Sequence, residues 1–455
     1  MTIHFSLEDL KRIAAAGPAN LEFTGNECDR GLQRALQTVL IKQTLDVAEE
    51  SIDGYRTLYE RAGICSGDFQ KLTDLARFPV IHRADLVADI GRFISPISRP
   101  EHIRSTSGST GKRLTIYGCA AEMDAHRALF DALNGEMTDP LLVLRISPPV
   151  RRLHSQPLTS PKVVNLSITY IPEQLPGLWL THTDFVHQTL SEGYFIGDAV
   201  RRITALHITP PYFLELLTAN LHATGIDPRS YGVGTIVLTG GHATLRHRRI
   251  CEAAWGARCV TTFSCTEVLA SFPEVHAASG VYAPSMAAYA EVVDLETGLP
   301  VIAGSPGGLV LTATYPFQQT IPLIRYQPGD TVRAVDLPDG RRGFKVIGRS
   351  HECISLANGE VVGPTEILDI LSIFDKIPQI PAPRFQLTQD RIGGENRLRM
   401  DVEANAVTAT QRSTLEDAIA HAFASEVSGC VNSAPVIRVH PKGSLSSYLR
   451  LYPES

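Results

Sequence analysis

The spacing of apolar side chains changes three times along this chain, and each change predicts a different kind of structure. Over the first 95 residues apolar and charged positions alternate with helical spacing, as in Leu32–Ala48 and Tyr55–Arg61, which predicts amphipathic helices. Ser6-Leu-Glu-Asp9 reads as a helix opening, with Ser6 as its cap and acids in the first turn. Phe78-Pro-Val-Ile-His-Arg-Ala-Asp-Leu86 reads as a turn entering a short helix. From 140 to 320, short β-rich segments (Leu141–Ile146, Thr235–Leu238, Leu309–Ala313) alternate with helical stretches (Phe213–Thr218, Ala243–Trp255). That alternation predicts an α/β fold with largely parallel sheets flanked by helices. Residues 150–195, rich in Pro, His and Thr and poor in periodicity, read as long loops around a site, or equally as irregular surface. After Gly348-Arg349 a compact stretch with a helix at Gln411–Phe423 and a strand at Pro435–Val439 predicts a small α+β domain. The boundaries are therefore residues 1–348 for a large N-terminal domain and 349–455 for a small, mobile C-terminal one.

Bulk properties narrow the picture. At 455 residues the chain exceeds what one core usually serves. A composition of 44% hydrophobic and 20% charged residues is that of a globular protein. The net charge of -6 speaks against general attraction to nucleic acid or anionic lipid. No apolar run is long enough to span a bilayer, and the N-terminus lacks the basic start and apolar stretch of a secretory signal. Eight scattered cysteines without a CxxC pair read as buried thiols, which points to a reducing cytoplasm.

The chemistry gathers first in Ser105-Thr-Ser-Gly-Ser-Thr-Gly-Lys112. Glycines admit a phosphate close to the backbone, hydroxyls donate to its oxygens, and a lysine adds charge. The run fails the Walker A pattern, because Thr106 stands where its first glycine belongs and Arg113 follows the lysine. A plain Ser/Gly linker fits less well, since Leu114-Thr-Ile-Tyr117 resumes a strand pattern at once.

This loop resembles the phosphate-binding loop of the adenylate-forming superfamily, which includes acyl- and aryl-CoA synthetases. Four further segments follow in the order of that family: Leu238-Thr-Gly-Gly-His242, Phe263-Ser-Cys-Thr-Glu267, Ile324-Arg-Tyr-Gln-Pro-Gly-Asp330 and Val346-Ile-Gly-Arg349. The last is followed by Leu356-Ala-Asn-Gly-Glu-Val-Val-Gly-Pro-Thr-Glu366. The wording is most similar to the phenylacetate–CoA ligase branch, between residues 50 and 370.

The resemblance implies ATP, Mg²⁺ and CoA as partners of a ligase for a small, aromatic carboxylic acid, of the kind met in secondary metabolism. It implies that Ser105, Thr106, Ser107, Gly108, Ser109, Thr110, Gly111, Gly240, Gly241, Phe263, Ser264, Asp330 and Arg349 contact the nucleotide. Lys112, Thr266, Glu267 and Arg349 would be catalytic, with Glu267 also on Mg²⁺. Tyr212, Gly241, His242, Cys265 and Val268 would line the acyl pocket. A carrier-protein phosphopantetheine or an amine is the alternative acceptor, and a homodimer is compatible with all of this.

Plainer readings stand beside these. Gly240-Gly241 alone is a turn, Phe263 alone a core residue, Pro328-Gly329-Asp330 a β-turn and Glu267 a helix-start acid. His242 and His247, with His276, are badly spaced for a metal. Cys251, Cys259 and Cys265 read as buried thiols. Arg145, Arg151, Arg152 and His154 read as a solvated loop, or else as a partner for a carboxylate or for CoA phosphates.

Three positions depart from the family pattern. Ser264 replaces a glycine, His351 stands at the hinge, and no lysine follows Gly443. Lys442 and Arg450 are the tail cations at hand. Their displacement raises a different class of function, an adenylate-binding protein of reduced catalytic power.

Overall fold

The computed structural model describes residues 27–105, 114–133, 141–147, 163–170, 183–275, 279–338, 340–356, 359–380, 382–392, 395–427, 435–445 and 449–452. The Ser6 cap, Thr106–Lys112, Arg151, Arg152, His154 and His276 lie outside the described residues.

Helix Glu27–Ser51 carries Leu36, Leu40, Ile41, Leu45 and Ala48 on one stripe, and these join a large apolar core. Helix Asp53–Ala62 follows, burying Tyr55 and Tyr59 one turn apart, and ends at Gly63 in the left-handed conformation. The Tyr55 hydroxyl donates to the Pro322 carbonyl at 2.6 Å and accepts from Ile324 N at 2.9 Å. An N-terminal helix is thereby tied to a loop some 270 residues later, beneath the future site.

Two larger sheets follow. One has the strand order 271–273, 258–264, 235–238, 205–208, 141–147, 163–169. Its inner pairs are parallel, and only 271–273 runs antiparallel. Helices Thr183–Ser191, Tyr212–Ala223 and Leu245–Trp255 cover one face, where Leu144, Ile146, Leu206, Ile208, Ile236 and Leu238 pack on Phe213, Leu217 and Trp255.

The other sheet, with 281–282, 288–293, 306–313, 326–327, 330–336 and 342–349, is mainly antiparallel. The expectation of largely parallel sheets therefore holds for the first sheet and needs correcting for this one. Strand Leu309–Ala313 belongs to the antiparallel region, Pro306–Ala313. The short connections after residue 293 leave no room for crossover helices, so successive strands fold back on one another.

Residues 150–195 also need correcting. Val163–Thr169 is a strand and Thr183–Ser191 a helix. Val164, Leu166 and Ile168 alternate with Asn165, Ser167 and Thr169, as an edge strand with one solvated face should, but the Pro, His and Thr residues around them masked the pattern.

From Ile354 onward a third core forms around Ile367, Leu371, Phe385, Met400, Ile419 and Phe423. Helix Ala409–Glu426 and a four-stranded sheet enclose it, with order 436–441, 395–404, 385–392, 449–452. The helix starts with a reciprocal cap: Thr408 Oγ1 accepts from Gln411 N, and Gln411 Oε1 accepts from Thr408 N. The architecture is thus α/β with mixed sheets flanked by helices, followed by a small α+β unit. Among the described residues no helix is long and apolar enough to cross a membrane.

Candidate active site

Strand Arg258–Ser264 leaves the parallel sheet and turns back into 271–273, and that turn carries Thr266 and Glu267. Glu267 is in a loop, not at a helix start, and is only 6% exposed. Gln318 clamps the turn: its Nε2 donates to the Glu267 carbonyl at 3.1 Å and its Oε1 accepts from Leu269 N at 2.9 Å. The carboxylate is therefore held from behind by its own backbone.

In front, Glu267 Oε1 accepts from Arg83 Nη1 at 2.7 Å and from the Tyr326 hydroxyl at 3.1 Å. Arg83 arrives by strand pairing. Ile81 and His82 run parallel to Tyr326 and Gln327, and helix Arg83–Asp89 begins immediately, with Asp85 accepting from His82 N. The segment containing Arg83 was read only as a turn entering a short helix, and its role beside Glu267 was missed.

Arg104 was missed as well. It lies on strand His102–Ser105, opposite Ile116, immediately before the glycine-rich loop. Its Nη2 and the Ser105 Oγ are buried without hydrogen-bond partners. Burial pulls the Arg104 pKa down, opposed by Glu122, Cys265 and Glu267. Orphaned donors at the mouth of such a loop suit an oxygen-rich ligand.

Asp330 and Arg349 face each other across adjacent strands. Arg349 Nη1 donates to Asp330 Oδ2 at 3.3 Å and to the Pro328 carbonyl at 2.9 Å. Asp330 is 6% exposed. Burial pushes its carboxyl up to about 6, against the pull of Arg349, while Glu267 and Glu352 add to the rise. The Pro328-Gly329 turn is real too, with Gly329 at φ 89°. It delivers the aspartate inward. Arg325 of the same segment is structural: it is buried, pairs with Glu291 at 3.1 Å and donates to the carbonyls of Ala76, Phe78 and Gly298.

The remaining predicted positions are distributed as follows. Gly240 has φ 73°, and a Cβ there would lie 2.5 Å from Thr209 Cγ2. Gly241 packs on Pro211. Only a glycine lets this loop lie on the end of strand Ala205–Ile208. His242 Nε2 lies 3.0 Å from Asp369 Oδ1 on helix Pro364–Ser372, which also accepts from Leu245 N at 3.2 Å. His247 instead accepts from Thr244 through Nδ1. The two histidines thus serve different partners, and no metal-holding group of three or more His, Cys, Asp or Glu occurs among the described residues.

Phe263 is half-buried and meets Phe344 edge-on at 5.3 Å, beside Phe272 and Tyr282. Ser264 is exposed, Thr266 half-buried and Val268 fully in the core. Burial pushes the Cys265 thiol well above its ordinary value, which disfavours a nucleophilic thiolate. Tyr212 is the first residue of helix Tyr212–Ala223, edge-on to Phe213. His351 is exposed, 4.0 Å from Glu352. Lys442 is exposed on the turn after strand Val436–Pro441, and Arg450 lies on strand Leu449–Tyr452, beside Gln386.

Arg145 requires a correction. It sits on strand Leu141–Ser147 and is half-buried, not on a solvated loop. Leu141–Ile146 already reads as a β-rich segment, and Arg145 belongs to that run, not to the proline-rich residues after Ser147 with which it was grouped.

No family model matches the chain. It is 25% identical over 383 residues to a phenylacetate–coenzyme A ligase of Aromatoleum evansii, covering 82% of each chain. It is 23% identical over 426 residues to the phenylacetate–coenzyme A ligase of Escherichia coli (strain K12), covering 90% of this chain and 92% of that one. In structure it resembles 2-hydroxyisobutyryl-CoA ligase in the postadenylation state, with a TM-score of 0.64 at 18% identity over 96% of this chain and 90% of that one. The chain thus has the fold of the adenylate-forming CoA ligases, and its sequence kinship points to the same superfamily.

Proposed function

We propose that this chain is an adenylate-forming acid–thiol ligase that activates a small carboxylic acid with ATP and passes the acyl group to CoA. The observation that carries this reading is the placement of Glu267. It is a clamped, buried carboxylate set between Arg83, Tyr326 and the strand that opens the glycine-rich loop, with the Asp330–Arg349 pair in the adjoining sheet.

In the first half-reaction the acid's carboxylate oxygen attacks the α-phosphorus, and the bond to pyrophosphate breaks. Negative charge grows on phosphoryl oxygens, so the protein's task is to position them and supply positive charge. Arg83 and Arg104 are the described cations nearest Glu267 that suit this work. Lys112 and the hydroxyls of Thr106–Thr110 would add to them. Asp330 offers two oxygens to the ribose hydroxyls, with Arg349 holding its orientation.

Glu267 suits Mg²⁺, a cation that often takes a single protein carboxylate together with substrate phosphates. Such an ion would neutralise phosphate charge, and binding it would require Glu267 to share its Arg83 contact. In the second half-reaction a thiolate attacks the acyl carbon and AMP leaves. An aromatic acid is the finer reading, supported by kinship with the phenylacetate–coenzyme A ligases.

A second reading has its own observation. No lysine follows Gly443, and Lys442 is exposed on its turn. A chain that binds adenylates but forms them slowly would look like this. Acid-dependent pyrophosphate release, followed by mass detection of acyl-CoA when CoA is added, tests the ligase reading. Tight binding of an acyl-adenylate analogue without pyrophosphate release from any acid would favour the second.

A further inference from the structure

Strands Leu141–Ser147 and Ala205–Ile208 lie side by side in parallel, with Arg145 directly opposite His207. Cross-strand partners point to the same face, so an arginine and a histidine side chain stand next to each other. That face is not the helix-covered one, because Leu144, Ile146, Leu206 and Ile208 point the other way into the core. On the Arg145 side, Val237 and Val260 continue the row across the sheet, Val143 lies two residues before Arg145 on its own strand, and none of the three belongs to the two large apolar clusters.

Both residues are half-buried, and among the described residues no carboxylate acts on either. Burial lowers Arg145, and burial together with Arg145 brings His207 down to about 4. A half-buried guanidinium in this setting costs free energy unless an anion completes it, and the neutral imidazole beside it can add an N–H donor to the same anion.

The location says which anion. Strand Ala205–Ile208 ends under the Gly240-Gly241 loop, where Gly240 rests on Thr209. His207 is two residues earlier, about 7 Å down the strand. Ligands of open α/β sheets bind at this carboxyl edge. We propose that Arg145 and His207 form a subsite for a second carboxylate on the acyl substrate. The chain would then activate dicarboxylic acids whose two acidic groups are separated by a ring or short chain. Val237 and Val260, in the same row as Arg145 and His207, would flank the carbon skeleton. This rests on the ligase reading and narrows its substrate class.

The test compares matched acids: benzoate against terephthalate, phenylacetate against 4-carboxyphenylacetate, and butyrate against succinate. Pyrophosphate release is measured for the full-length protein and for R145Q, R145K and H207Q, with thermal melting of each. The dicarboxylic member of at least one pair should have a kcat/KM higher by about tenfold or more. R145Q should erase that preference through KM while leaving the monocarboxylic partner within about twofold. R145K should lose part of it, because a lysine keeps charge without the bidentate fork. If R145Q does not fold, R145K and H207Q carry the same comparison. The subsite is overturned if monocarboxylic acids are preferred in every pair, or if the preference survives in the variants. If no acid of either kind releases pyrophosphate, the ligase reading fails and the subsite falls with it. Activation without dependence on Arg145 or His207 sinks the subsite alone.

Discussion

Arg83 Nη1 donates to Glu267 Oε1 at 2.7 Å, across 184 positions of sequence. The side chains are 23% and 8% exposed, so the pair is largely out of water. Losing one member of a buried pair costs about 3–5 kcal/mol, because the other charge is stranded. Arg83→Ala should therefore lower stability by about 2–3 kcal/mol, the smaller figure reflecting the part of Arg83 that still meets solvent. Glu267→Gln keeps an acceptor for both neighbours and should unfold close to wild type. It should still cut acid-dependent pyrophosphate release by about a hundredfold. Calorimetry and a pyrophosphate assay on both variants separate packing from chemistry. Full activity in Glu267→Gln would remove Glu267 from the machinery.

On the ligase reading, Asp330 should couple nucleotide binding to pH. Its native pKa of about 6 lies above the ordinary carboxylate value, so the folded chain holds this proton more tightly than the unfolded one. The favourable contribution is complete below about pH 4 and is lost as pH rises through 6. At neutral pH the buried charge costs about 2–3 kcal/mol. Asp330→Asn should raise the melting temperature at pH 7.5 and lose that advantage at pH 4. The same change should weaken ATP binding by about tenfold, since one ribose acceptor becomes a donor. Wild-type affinity should itself decline as pH falls through 6. Titration calorimetry at pH 7.5 and 5.5 reads both effects, and affinity flat across that range would contradict the ribose assignment.

The parts of the site that were legible in sequence are those built from contiguous residues. Phe263–Glu267 and Ile324–Asp330 each fold as a strand with its adjoining turn, so type and order were enough to propose them. Arg83 was not legible, because the long-range pairing of 81–82 with 326–327 brings it to Glu267, and Arg104 was not, because it sits on the separate local hairpin 102–105/115–118, whose packing beside Glu267 no sequence pattern announces. Arg145 was misjudged for a related reason. Whether an arginine in a β segment faces solvent depends on which strand lies beside it, here the one carrying His207. Sheet direction failed similarly, since Leu309–Ala313 is apolar whether its neighbours run parallel or antiparallel. Helices such as Leu245–Trp255, closed by Gly256 in the left-handed conformation, were legible because their signals are local.

Arg325 tests how far one segment can be divided between scaffold and chemistry. It is 1% exposed, at φ 49°, and its guanidinium reaches Glu291 and three carbonyls from two separate segments. Burial raises Glu291, and Arg325 opposes that rise. Arg325→Ala should cost about 3–5 kcal/mol by leaving Glu291 alone. Glu291→Gln should cost less, because an amide oxygen still accepts. Urea unfolding of the two variants checks the order, and equal losses would mean that the carbonyl contacts, not the charge pair, dominate.

The junction with the C-terminal unit depends on two glycines that leave room for their neighbours. A Cβ on Gly348 would lie 2.4 Å from Pro364 Cδ, and one on Gly363 would lie 2.5 Å from Ile347 O and Cγ2. Thr365 Oγ1 donates to the Ile347 carbonyl at 2.8 Å, locking the same corner. Gly363→Ala must therefore push helix Pro364–Ser372 away from strand Arg342–Arg349. Overpacking of this kind costs about 1–3 kcal/mol. The displacement also carries Asp369 off His242 and Leu245 N, the contacts that hold the helix against the Gly240-Gly241 loop. Gly363→Ala should then melt earlier, expose residues 349–363 to limited proteolysis and slow acid-dependent pyrophosphate release. Gly234→Ala, where the nearest atom to a new Cβ is 4.0 Å away, should do none of these. If Gly363→Ala matches Gly234→Ala in melting and in protease resistance, close packing at this corner does not govern how the C-terminal unit is held.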